Sequence, residues 1–116
     1  MLPSGVFIVV ALPLPEVHYT MRLEFVPCGQ LKKLLDRPAL LADACRINAL
    51  YMVALAGRGH LGTSLSSMEA IVAIRHLMKE GDIFLSSKGH DAVAQYAVLI
   101  AHGILPEEML HEFRRS

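Results

Sequence analysis

GRGHLGTSLSSMEAIVAIRHLMKEGDIFLSSKGH, residues Gly57 to His90, decides how this chain is read. It holds two Gly-His pairs, Gly59-His60 and Gly89-His90, one near each end. Each pair follows the end of a predicted element and precedes a predicted helix. Glycine lets the backbone turn tightly and approach a ligand closely. Histidine donates, accepts and titrates near neutral pH. Between the pairs, Ser66-Ser67-Met68-Glu69 has the form of a capping box and predicts a helix from Ser67 to Lys79. Ala70, Ile71, Ile74, Leu77 and Met78 are its expected buried stripe, with Glu69, His76 and Lys79 opposite. Gly81 ends it. Ile83-Phe84-Leu85, bounded by Asp82 and Ser86, predicts a short buried parallel strand.

Working outward, Asp36 is an expected N-cap and Pro38 suits a first helical turn, so a helix is predicted over 38–56. Gly57 supplies its stop signal. This helix is apolar almost all round, interrupted by Asp43, Arg46 and Asn48, and expects cover on several sides. Leu31 to Leu35 predicts a short helical turn. Beyond the second Gly-His pair, a helix is predicted over 91–101, with Gly103 after it. Pro106-Glu107-Glu108 opens a last helix, with acidic residues at its positive end. Val6 to Leu12 has strand character, stopped by Pro13 and Pro15, and Arg22 to Val26 is a second short strand candidate. The expected division is an N-terminal extension over residues 1–26 and one domain over 27–116.

Composition narrows the classes. The 116 residues are 53% hydrophobic and 19% charged, which excludes a disordered chain. Lys plus Arg number 11 and Asp plus Glu 11, with no basic run, so no nucleic-acid partner is expected. Cys28 and Cys45 lack metal-ligand spacing and read as reduced thiols of a cytoplasmic protein. No stretch is expected to cross a membrane, and the N-terminal run lacks the positive start of a secretory signal.

A strand followed by Gly-His and a helix start is a recipe for anion binding. The first turn of a helix presents free N–H groups and a partial positive charge. In an open parallel sheet, ligands sit beyond the carboxyl ends of the strands. Ser86, Ser87, Lys88, Gly89 and His90 are expected there, so a phosphate-bearing ligand near His90 follows from pattern alone. A zinc site on His60 and His90 lacks a third and fourth ligand, and no metal ligands are assigned. His18, His76, His102 and His111 are expected as surface or satisfied core residues. Ser64 and Ser66 are expected as loop and capping residues.

Two segments together resemble transketolases and related thiamine-diphosphate enzymes. GHLGTSLSSMEA resembles the first signature of that family, and DIFLSSKGHDAVAQYA the second, with LPEEMLHEFR similar to the helix that follows. The resemblance covers residues 31–116. It implies an α/β chain: a partial thiamine-diphosphate-binding fold, mostly helical with a short parallel-type strand. It implies a two-carbon ketol transfer between sugar phosphates, with thiamine diphosphate and Mg2+ as cofactors. The cofactor supplies the electron sink, and the protein positions it and moves protons. His60 matches the histidine near the reacting carbon and is the implied catalytic residue. His90 matches the histidine at the diphosphate, and Gly59 and Gly89 keep the backbone close, so these three are the implied cofactor-binding residues. GHLGTSL also resembles 1-deoxyxylulose-5-phosphate synthase.

The sequence departs from the family at two points. Asp91 stands where the family places a small residue, and an aspartate there repels a nearby diphosphate. The Gly-Asp-Gly…Asn segment that holds the metal in the family does not occur in these residues. The expectation is therefore the N-terminal portion of a transketolase-like enzyme, inactive alone, that forms homo-oligomers or joins a complementary transketolase subunit. The rival reading is a non-catalytic interaction module or remnant of the family.

Overall fold

The computed structural model describes residues 6–11, 18–57, 62–86 and 92–112. β1 (Val6–Ala11) and β2 (His18–Leu23) form an antiparallel hairpin, with Val6 opposite Leu23 and Ala11 opposite His18. Everything after it is a small helical globule. Its helices are α1 (Cys28–Leu31), continued by a 3-10 turn over Lys32–Leu34, α2 (Pro38–Ala56), α3 (Gly62–Leu77), α4 (Ala92–Ala101) and α5 (Met109–Glu112). No strand occurs among the described residues of the globule.

That overturns the α/β expectation. Ile83, Phe84 and Leu85 form no strand, and no backbone hydrogen bond joins them to another segment among the described residues. A strand needs a neighbouring backbone to satisfy its N–H and C=O groups. The globule offers none, so a sequence with strand composition remains single. Ile83 is 82% exposed and Leu85 86%, while Phe84 between them packs on the core. Only one side of the segment finds cover.

α2 is the centre of the globule. Pro38 fixes its first turn, although Arg37 rather than Asp36 occupies the N-cap position, without a side-chain cap bond. Gly57 ends it in the left-handed region at φ 76°, which favours a residue without Cβ. Leu41, Cys45, Ala49 and Met52 bury the inner face against α3 and α4. By length and composition α2 is apolar enough to cross a membrane, contrary to the sequence expectation; here it serves as a core helix, with Leu40, Ile47 and Leu50 about half exposed. Alanines at 94, 97 and 101 let α4 approach α2 closely enough for the Cys45 thiol to meet the Ala97 carbonyl at 3.8 Å. Burial pushes that thiol up to about 12.

α3 begins at Gly62, several residues before the expected capping box. Ser66 and Glu69 consequently lie inside the helix, and Glu69 pairs with Arg46 of α2 instead of closing a cap. The Arg46 guanidinium also reaches Asp43 at 2.9 Å and the Leu65 carbonyl at 3.1 Å, clasping α2 to α3. The helix is turned relative to the expected stripe. Met68, Ile71 and Val72 are buried, whereas Ala70, Ile74 and Leu77 are exposed. The stripe placed Ile71 correctly and its neighbours one position off, because it ignored Ser64 and Met68 on the inner face.

Two long-range contacts tie the ends of the globule together. Asn48 is fully buried; its Oδ1 accepts from the Val26 N–H at 2.6 Å and its Nδ2 donates to the Val26 carbonyl at 3.1 Å. Glu107 Oε1 accepts from the Cys28 N–H at 2.8 Å, serving the first turn of α1 from near the other end of the chain.

Candidate functional site

The implied site residues Gly59, His60, Gly89 and His90 lie outside the described residues, as do Ser87, Lys88 and Asp91. What is described are the helices that follow them. α3 starts at Gly62, separated from the first pair by one residue, and α4 at Ala92, separated from the second by one residue. The two helices pack against each other. Ile71 and Arg75 of α3 and Gln95, Val98 and Leu99 of α4 line one cavity. Arg75 and His76, in the last turn of α3, act on the charge of His102, just past the end of α4.

After α3 the chain turns at Gly81, whose φ is 90°. The Asp82 carboxylate accepts from the Lys79 N–H at 2.7 Å, and the Asp82 N–H donates to the Lys79 carbonyl at 3.0 Å. Phe84 then lines the cavity between α3 and α4.

Ser64, in the first turn of α3, is fully buried and its hydroxyl has no partner. The sequence placed it in a loop. A buried, unsatisfied hydroxyl costs free energy and is uncommon in folded proteins. Its position two residues into the helix brings an unused polar atom close to the first Gly-His segment in sequence.

Between α3, α4 and Phe84 lies a second set of polar groups that sequence reading missed. The cavity is about 100 Å³ and is lined by Ile71, Arg75, Phe84, Gln95, Val98 and Leu99. No carboxylate pairs with Arg75 among the described residues. The His102 Nε2 atom is buried without a hydrogen-bond partner, which corrects the expectation of a satisfied histidine. Desolvation, and then the positive charges of Arg75 and His76, hold His102 below the usual imidazole range. His111 instead has a partner: its Nδ1 lies 2.8 Å from the Tyr51 hydroxyl, and Phe25 meets both rings at centroid distances of 5.1 and 5.2 Å. Arg75 and Gln95 carry no motif, and only the fold brings them together.

The implied cofactor can be set against this framework. A helix start with the unpartnered Ser64 hydroxyl in its first turn has donors of the type that the anionic end of a diphosphate takes. Among the described residues, however, no three of His, Cys, Asp and Glu gather into a metal-ligand set. The described part of the chain does not by itself fit the Mg2+–diphosphate pair, and no chemical step is derived through it.

Comparison of the chain with family models, with curated proteins and with solved structures finds no match.

Proposed function

We propose that this chain supplies the N-terminal portion of a transketolase-like, thiamine-diphosphate-dependent transferase that moves a two-carbon ketol unit between sugar phosphates. One observation supports the reading: each Gly-His pair is followed, with one residue between, by one of two helices that pack against each other. In this reading His90, with Gly89, binds the diphosphate at the start of α4. His60, with Gly59, hydrogen-bonds substrate oxygens and moves a proton at the start of α3. A Gly-Asp-Gly…Asn segment on a further stretch of protein or on a complementary subunit supplies the metal ligands.

The test joins this chain to such a segment and titrates thiamine diphosphate with Mg2+. Saturable binding is expected, with His90→Ala weakening affinity and His60→Ala lowering turnover at retained affinity. Equal and negligible effects of both substitutions reject the reading. The chain without that segment is expected to show no micromolar binding. Such affinity needs about 8 kcal/mol, and an exposed helix end contributes about 0.3–1 kcal/mol.

A second reading, an interaction module without chemistry, is favoured by the exposure of Leu77 (75%), Ile83 (82%) and Leu85 (86%) around the connection between α3 and α4. Apolar groups concentrated in this way mark a surface that another polypeptide covers. The His60→Ala/His90→Ala double variant separates the two readings: loss of a transfer activity that the unsubstituted assembly shows supports the enzyme, whereas partner binding retained with no transfer activity in either form supports the module.

A further inference from the structure

We propose that the cavity between α3, α4 and Phe84 binds a small carboxylate with a compact apolar body. Its polar elements are Gln95 and Arg75, and Arg75 pairs with no carboxylate among the described residues. Its apolar walls come from Ile71, Phe84, Val98 and Leu99. A guanidinium presents a planar fork that matches a carboxylate with two parallel hydrogen bonds. His102, just past the end of α4, lies near Arg75, with its Nε2 atom buried and without a hydrogen-bond partner.

Size restricts the ligand. The cavity measures about 100 Å³, and a dry apolar cavity of about 150 Å³ takes a benzene molecule. A branched chain of a few carbons fits, with its carboxylate at the Arg75 side, whereas a sugar phosphate does not. None of the lining residues belongs to either Gly-His pair, so the proposal does not rest on the thiamine-diphosphate reading.

The experiment titrates the full chain, labelled in its Ile, Leu and Val methyl groups, with isovalerate and separately with the neutral isovaleramide. Isovalerate is expected to shift the Ile71, Val98 and Leu99 methyls saturably, and isovaleramide is not. Arg75→Gln should weaken isovalerate by about tenfold or more, as loss of a charge-assisted bond requires. Arg75→Lys should restore part of the affinity, and Val98→Phe should fill the cavity and abolish binding. Equal binding of acid and amide, equal affinity of Arg75→Gln, or no saturable shift overturns the proposal. The acid–amide comparison needs no variant and decides the question even if a substituted chain fails to fold.

Discussion

Asn48 shows how much one side chain can hold. Its amide satisfies both the N–H and the C=O of Val26 in the interior. Asn48→Ala leaves a donor and an acceptor unpaired there and should cost about 2–4 kcal/mol, read as a lower urea midpoint. His102 adds a pH dependence. Its folded-state pKa lies below the ordinary 6.5. Above that value both folded and unfolded forms are neutral and His102 costs nothing. As pH falls through 6.5, the unfolded chain takes up a proton that the folded chain resists, so stability declines until the folded-state value is passed. His102→Gln should flatten this slope in urea titrations at successive pH values. The thiols differ in the same way from free cysteine. Cys45 is buried and pushed up to about 12, and Cys28 is raised by burial and by Glu107. Native protein should therefore react slowly with a thiol reagent at Cys28 and at Cys45 only after unfolding.

At the scale of elements, Gly57 separates backbone from packing. A Cβ built there meets nothing within 4 Å, yet φ is 76°. Gly57→Ala should cost about 1–2 kcal/mol through conformation alone. Gly29, in α1 and equally open, should gain stability on the same change, because alanine is the better helix former by about 1 kcal/mol. Thermal unfolding of the two variants gives shifts of opposite sign. The ends of α2 were legible in the sequence because Pro38 and Gly57 act locally. The start of α3 was not. Ser66 and Glu69 had the spacing of a cap, but burial of Met68 and the demand of Arg46 for a partner extended the helix backward. Ile83-Phe84-Leu85 had the composition of a strand, and composition does not supply a neighbour. The Gly-His pairs were legible as motifs, while the Arg75 cavity was not, because its residues come from two helices and a connection that are distant in sequence.

At the scale of the whole molecule, the apolar surface is unevenly distributed. Leu40, Ile47 and Leu50 lie along the outer side of α2, each about half exposed. A protein of this size buries only about two thirds of its unfolded surface, and the proposed association with a second copy or a complementary subunit would cover this row. The prediction is concentration-dependent sedimentation of the chain, abolished or weakened by Ile47→Asp. A monomer at all concentrations, without dye-binding apolar surface, would count against it.

The Tyr51–His111 pair makes the molecule report on itself. The chain has no tryptophan and only three tyrosines, so its intrinsic emission is tyrosine emission. Tyr51 sits on the central helix with its hydroxyl 2.8 Å from His111 Nδ1, a geometry in which excited-state proton loss to the imidazole quenches the ring. Release of α5 from the globule would break that contact. The fluorescence of an unlabelled sample would then brighten as the C-terminal helix undocks, giving an optical record of that motion before the rest of the chain unfolds.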